Sequence, residues 1–526
     1  MAPSERDAPA AAPGGWLRHW LRRDIERPLE ALAGGPARLK VIMLLACVLA
    51  LDAADKATVG AVATPIKDAL GIGNLQIGWL VTASTAVAAV TTLPFGALVD
   101  RVRRVRLLVI ALVVWSATML VSGLAVSYPM LLLSRLALGV VASAASPAVT
   151  SLTGDFFRPG ERGRIFGYVL AGELLGVAFG FLISGNVAAV LSWRAAFWVL
   201  GALGFVLALV LWQCLPEPAR GGQGRIPVGA ERVPEEGAPA EPATGSGSGS
   251  GSLRRVIRWR GVRPRHALMT MNPSTASLWR AVRYVLAVPT YRTLIIASAL
   301  GYFYFTGLRT FAIVFMRGRF ELSQAMASSL AVVIGLGAVA GVLLAGRLGD
   351  RLIDRGRLAG RVLVAAAAYL LATVAFLPGL LIGTLWLAGP FFFFAAAGIG
   401  GANPAVDAAR LDVMPSALWG RAEGVRATLR FALEAIAPPL FGYLSARFAG
   451  HAGTGSAAAG AAATAGAATA RAAAVGLDHT FLLMLAPLAI AGLLLLLRTT
   501  RTYARDVASA LASERRGGKP PARTPP

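Results

Sequence analysis

Apolar positions along this chain gather into twelve long blocks separated by short polar punctuation. One set lies near 41–64, 76–98, 106–125, 129–151, 164–186 and 194–214; the other lies near 292–315, 324–346, 361–380, 384–411, 424–447 and 480–498. Each block is about as long as the ~20-residue helix that crosses a hydrocarbon core. The pattern predicts an all-α membrane protein: twelve transmembrane helices in two six-helix bundles, over residues 39–215 and 291–500. A tail covers 1–38, a linker 216–290 and a second tail 501–526.

The polar stretches divide further. Residues 216–273 are rich in Gly and Pro and include the Gly/Ser repeat 245–252, a composition that reads as flexible linker. Residues 275–289 carry a basic amphipathic pattern with Trp279, Arg280, Arg283 and Tyr284. Trp16 to Leu21 has similar character, and both suit a helix lying on a membrane surface. The stretch 449–476 is almost wholly Ala, Gly, Ser and Thr and lacks the large side chains that build a core.

Composition agrees with membrane residence: 56% of the residues are hydrophobic and 15% charged, and the mean hydropathy is +0.63. The net charge of +24 does not mark a nucleic-acid binder, because the arginines fall in short clusters between apolar blocks. Arg101, Arg103, Arg104 and Arg106 follow the second block and Arg158, Arg162 and Arg164 the fourth. Arg351, Arg355, Arg357 and Arg361 follow the eighth, Arg421 and Arg426 the tenth. Loops of the opposite side hold almost no base, so the positive-inside rule predicts both termini and the linker on the cytoplasmic side of an inner membrane. Cys47 and Cys214 stand inside apolar blocks and give neither a disulfide framework nor a metal-ligand spacing.

Charge within the apolar blocks carries the functional signal, because an ion at bilayer depth needs a partner, a wet cavity or a transport task. Asp52, Asp55 and Lys56 share the first block, with Asp52 and Lys56 one helical turn apart. Arg135 in the fourth block is within reach of the carboxylate that Lys56 leaves unneutralised. Glu173 lies among glycines in the fifth. These five are the candidates for proton coupling, Asp55 first, because desolvation and a nearby cation shift a carboxylate in opposite directions. Arg309 follows the aromatic run 302–305, where Tyr302 and Tyr304 with Arg309 would suit an amphipathic anion. Glu434 precedes Pro438-Pro439 and is expected to pair with Arg309 or to touch substrate. Each of these residues also has a purely structural reading as an ion-pair knot or a core packing residue.

A repeat then appears. Gly96-x-x-x-Asp100-Arg101 ends the second block and Gly346-x-x-x-Asp350-Arg351 the eighth. Two copies at matching positions predict duplicated halves related by an axis along the membrane normal. The element reads as a cytoplasmic gate: glycine for close helix approach, aspartate for a helix terminus, arginine for headgroups. Asp407 and Arg410, with Arg421 and Glu423, are expected to complete that gate in the second half.

These elements resemble the signature loop of the major facilitator superfamily. Arg135-x-x-x-Gly139 resembles its second motif, and Trp193-Arg194-Ala-Ala-Phe197-Trp198 a common opening of its sixth helix. Within the superfamily the chain is similar to the Spinster-like branch, which includes exporters of lysolipids and sphingoid phosphates. That branch carries Asp-Arg in its first helix, where this chain has Asp55-Lys56; Pro404-x-x-x-Ala408 is a further likeness. Where the branch has Gly-Glu-Ala in the fourth helix, this chain has Val141-Ala142-Ser143.

The resemblance implies a secondary transporter working by alternating access, monomeric, free of cofactors and driven by a proton gradient. Its partners would be membrane lipids, protons and a small amphipathic or organic solute. Proton-linked export of a lysolipid-like solute is the expected activity. A drug or metabolite/proton antiporter is the alternative, although the fifth block lacks the Gly-Pro pair of that group. A receptor on a transporter shell would not need two gate elements. No nucleophile, base and orienting group stand together, and no phosphate loop occurs, so an enzyme or ATP-driven pump is not indicated.

Overall fold

A computed structural model of the chain describes residues 30, 33–99, 102–157, 162–218, 226–232, 262–264, 278–415, 418–453 and 462–517. The first half contains α1 (Pro36–Ala61), short α2 (Ala63–Leu70), α3 (Asn74–Val99) and α4 (Arg104–Gly123). It continues with α5 (Tyr128–Ala142), α6 (Ala145–Phe156), α7 (Arg162–Val190) and α8 (Trp193–Cys214). The surface helix α9 (Leu278–Ala287) leads into the second half: α10 (Pro289–Phe320), α11 (Gln324–Asp354), α12 (Gly360–Leu381), α13 (Leu385–Asp412), α14 (Trp419–Gly453) and α15 (Ala462–Leu494). A π-turn, Leu495–Thr499, joins α15 to the C-terminal α16 (Thr500–Gly517).

With α5 and α6 as two pieces of one crossing, twelve long helical segments result. Ten are apolar enough to be recognised as spans by composition alone. The other two, α1 and α14, are long enough, at 26 and 35 residues, but charged residues in α1, and prolines and polar positions as well as charge in α14, interrupt their apolar runs. They hold Asp52, Asp55, Lys56 and Glu434. The Ala-rich stretch supplies the first turns of α15, so part of it is an extension of the last crossing.

Close approach of backbones holds the first half together. Gly172, Gly176 and Gly180 form one stripe on α7 that packs against Ala46, Ala50 and Ala54 of α1; a Cβ on Gly176 would clash with the Ala50 carbonyl oxygen. Small residues at this spacing let van der Waals contact replace the hydrophobic drive that a bilayer cannot supply. In the second half α11 and α13 meet in the same way, with Gly341 against Ala397 and Gly400 against Ala338.

The duplication reaches further than the G-x-x-x-D-R elements. Gly71 ends α2 at φ 64 and Glu321 ends α10 at φ 54, both left-handed caps 250 positions apart. Glu321 is the one non-glycine residue with positive φ among those described. The halves differ where Val62 (φ −103, ψ 14) separates α1 from α2; the corresponding α10 runs unbroken.

The halves touch along α3–α14, α7–α11 and α1–α10. Gly78 packs on Pro438, Gly442 on Asn74, Gly185 on Ser328, and Gly60 on the backbone of Arg309 and Thr310. These positions lie on the side of the α2–α3 and α10–α11 turns, here termed the far face. Toward the opposite side, the termini face, α3 and α11 turn to partners within their own halves. Gly139 of α5 packs on Ser84, and Ala345 of α11 lies against Gly401 of α13. The described contacts between the two bundles thus gather toward the far face.

At the termini face the linker and tail fold back. Ala37 N donates to Ala230 O at 3.1 Å, and Ile226 N to Phe156 O at 3.0 Å. On the other half, Asp506 of α16 accepts from Thr290 N at 3.0 Å, capping the start of α10. Surface helix α9 turns Trp279, 80% exposed, outward with Arg280 and Arg283, while the Trp16–Leu21 segment lies outside the described residues.

Gly176→Val is expected to abolish the α1–α7 contact and with it the monodisperse peak in detergent size-exclusion chromatography. Gly167→Val, on the same helix with nothing within 4 Å of its Cβ, should elute as the parent does.

Candidate functional site

The acids and bases of the apolar blocks sort into pairs. Asp55 and Arg135 form a two-pronged ion pair, Nη1 to Oδ1 at 2.8 Å and Nη2 to Oδ2 at 2.9 Å, and each is 1% exposed. Met119 and the Phe197 ring pack around the guanidinium, so the pair is sealed within α1, α4, α5 and α8. One turn earlier, Asp52 accepts from Lys56 at 2.5 Å and remains partly exposed. Asp52 also borders a small apolar hollow between α1, α4 and α5, lined by Leu108, Leu112, Trp115 and Val141.

A second constellation sits where the two halves meet at mid-depth. Arg430 of α14 donates to Glu434 Oε1 at 2.6 Å, and its guanidinium carbon lies 3.6 Å from the centroid of the Tyr302 ring on α10. Arg309 of α10 is 8% exposed and lies over Phe305 at 5.7 Å. No hydrogen bond to Arg309 occurs among the described residues, and its Nε is buried without a partner. The charges of Glu434, Glu173 and Asp52 all act on Arg309; Glu173 also acts on Tyr302 and Arg430. Charged and polar residues of α1 and α7 of one half thus lie within electrostatic reach of those on α10 and α14 of the other.

Two expectations need correction. Glu434 pairs with Arg430, not with Arg309: the four-residue spacing on one helix face reaches it without crossing between helices. Arg430 stands one turn before Glu434 on α14. Tyr304 is a core residue, 0% exposed and edge-on to Phe376 and Phe441. Consecutive residues on a helix point about 100° apart, so Tyr302 and Tyr304 serve different faces of α10.

A family profile described as Major Facilitator Superfamily matches residues 44–438. The chain belongs to the major facilitator superfamily. It is similar to the probable L-galactonate transporter of Escherichia coli (strain K12), 28% identical over 191 residues, 35% of this chain and 42% of that protein. It is also similar to the 3-(3-hydroxy-phenyl)propionate transporter of the same strain, 30% identical over 35% of this chain and 45% of that protein. The chain thus spans less than half the length of these two relatives. Similarity to a D-galactonate transporter of Escherichia coli O6:H1 runs over 62% of this chain and 71% of that protein at 22% identity. Among solved structures, a bacterial homologue of the human lysosomal transporter Spinster, inward-facing and unoccupied, superposes with a TM-score of 0.67. The match covers 89% of this chain and 97% of that one at 20% identity, a likeness of fold.

In this facilitator the termini face carries a duplicated polar clasp. Arg104 at the start of α4 pairs with Asp155 at the end of α6, and Glu217 accepts from Arg104 N and Val105 N at 2.8 Å each. In the second half Arg361 at the start of α12 pairs with Asp412 at the end of α13 at 2.5 Å, and Tyr503 donates to Asp412 at 2.6 Å. Both pairs span 51 residues. A further network joins Asp407, Arg410, Glu423 and Arg426 across α13 and α14. All of these bonds stay within one half.

The gate residues are placed as follows. Asp100 and Arg101 lie outside the described residues, and Gly96 falls in the last turns of α3. Gly346 and Arg351 are exposed on α11, the helix that also carries Asp350. A Cβ on Gly346 would meet nothing within 4 Å, which corrects the expectation that this glycine serves close helix approach in the state seen here. Arg421, expected in the network, is replaced there by Arg426.

Removing one partner of a buried pair leaves the other charge uncompensated, typically at a cost of about 3–5 kcal/mol. Asp55→Asn should therefore lower the thermal unfolding midpoint in detergent by several degrees, and Asp52→Asn, at a partly exposed pair, by much less.

Proposed function

We propose that this facilitator is a proton-linked secondary transporter of an amphipathic organic anion, and that its termini face is cytoplasmic. The observation that carries the reading is Arg309, a buried guanidinium with no hydrogen-bonding partner among the described residues, on the helix that packs against Gly60 of the other half; we take this boundary as the cargo chamber. An unpaired buried cation is costly. A carboxylate or phosphate arriving from solution satisfies it with charge-assisted hydrogen bonds. Tyr302 and Phe305 beside it offer ring faces to the apolar body. The relatives named for galactonate and for a hydroxyphenyl-propionate carry acids, which supports an anionic cargo.

Charge balance supports the proton link. Arg309 and Arg430 offset Glu434 and Glu173, so the chamber is neutral before cargo enters. An added anion leaves one negative charge in excess at low dielectric, and a proton on Glu173 offsets it. Glu173 has no hydrogen-bond partner among the described residues, whereas Asp55 is locked to Arg135 and Asp52 to Lys56. Glu173 is thus the better carrier of the proton, ahead of Asp55. Proton and anion then travel in the same direction, so the chamber favours symport over the export that the family resemblance implies.

A lysolipid-like cargo is a second reading, favoured by one feature. The described contacts between the halves gather toward the far face, and an opening between the bundles on the other side would admit a tail sideways from the bilayer.

Uptake into proteoliposomes under an imposed proton gradient tests both, with aromatic carboxylates, sugar acids and lysophospholipids as cargo. Acid outside should drive accumulation of one acid class, and Arg309→Gln should weaken its half-saturation about 10- to 100-fold, the loss of a hydrogen bond to a charged group. Glu173→Gln should keep exchange but lose gradient-driven accumulation. Accumulation that ignores the gradient in the parent protein would sink the proton link; full uptake by Arg309→Gln would sink the anion site.

A further inference from the structure

Prolines inside helices leave carbonyl groups without donors, because the residue four positions on has no N–H to give. In a bilayer such a group must be satisfied by a neighbouring helix. Pro65 withholds the donor due to the Ala61 carbonyl at the end of α1. Pro438 and Pro439 withhold both the three- and four-residue donors due to Ala435 in α14.

The Ala61 and Ala435 carbonyls are taken by side chains of the opposite half. Gln324 Nε2 of α11 donates to Ala61 O, and Thr82 Oγ1 of α3 donates to Ala435 O. The glutamine is aimed by its other atom: Arg317 Nη1 donates to Gln324 Oε1 at 3.1 Å. An amide whose oxygen already accepts must present its NH2 to Ala61. The first half repeats this device. Lys67 Nζ donates to Asn74 Oδ1 at 2.9 Å, and Asn74 Nδ2 donates across the boundary to Ser445 Oγ at 3.1 Å. Lys67 and Arg317 stand 250 positions apart, as do Asn74 and Gln324, the same interval as the left-handed caps between them.

We propose that the far-face gate of this transporter is a set of polar latches, two of which close on carbonyls that prolines have orphaned. A carbonyl with an intrahelical partner gains little from an extra donor. An orphaned one loses its only partner when the halves separate, so the prolines weight the equilibrium toward the closed far face. Lys67 and Arg317 hold the crossing amides in register. Opening hands Ala61 and Ala435 to water, which makes the latch reversible. The proposal needs neither the cargo nor the proton link proposed above.

Double electron–electron resonance between spin labels at Ala69→Cys and Met326→Cys reads the gap directly. Both sites are exposed and flank the latches on opposite halves, and Cys47→Ser and Cys214→Ser remove the native thiols. The parent should give one short distance. Thr82→Val should add a longer population, raising the open-to-closed ratio roughly 2- to 10-fold, as losing one hydrogen bond does. Gln324→Glu keeps the bond to Arg317, and so the α10–α11 hairpin, but turns an acceptor toward the Ala61 carbonyl; it should open the gap further. Pro439→Ala restores an intrahelical donor to Ala435, so adding Thr82→Val to it should shift the ratio less than in the parent. Unchanged distances in Thr82→Val and Gln324→Glu would overturn the proposal. So would an equal effect of Thr82→Val with and without Pro439.

Discussion

A charge or an unpaired polar group inside an apolar helical bundle has no water to satisfy it, and the architecture of this protein follows from that constraint. Asp55 takes Arg135, Asp52 takes Lys56 and Glu434 takes Arg430, each with a bond of 2.5–2.9 Å. Backbone groups obey the same rule, as the proline-freed carbonyls at Ala61 and Ala435 show. The other buried arginines described, Arg38, Arg104, Arg135 and Arg426, each make at least one hydrogen bond, whereas none is made to Arg309 among the described residues. The site is legible as a deficit.

Close packing turns that deficit into a place where motion can act. The glycine stripe of α7 on α1, and its counterparts between α11 and α13, make each half a body whose helices cannot slide without steric clash. Between the halves the described contacts gather toward the far face, where glycines again bring backbones together and polar side chains cross the boundary. The same boundary carries Tyr302, Arg309, Arg430 and Glu173.

Much of this was readable in the chain before any coordinates. Twelve apolar blocks and two G-x-x-x-D-R elements were enough for the two-bundle architecture, since hydrophobic length and duplication are properties of order along the chain. The remaining repeat was hidden because the duplicated parts differ in residue type: Lys67 against Arg317, Asn74 against Gln324, Gly71 against Glu321. Geometry, here a left-handed cap and a seven-residue reach, was kept while letters changed. Arg430 is hard to read from the chain for a different reason. It lies near the polar start of α14 and reads as a boundary arginine, yet the helix is long enough to carry it into the chamber. Tyr304 was over-read, because an aromatic run does not reveal which of its members faces inward.

The central claim is that an unpaired arginine receives an anion and that a proton comes with it. Isothermal titration of the purified protein with a cargo acid, in two buffers of different ionisation enthalpy, measures both at once. The account predicts uptake of about one proton per anion bound, loss of binding in Arg309→Gln, and binding without proton uptake in Glu173→Gln. Binding that survives Arg309→Gln, or that takes up no proton in the parent protein, would contradict it.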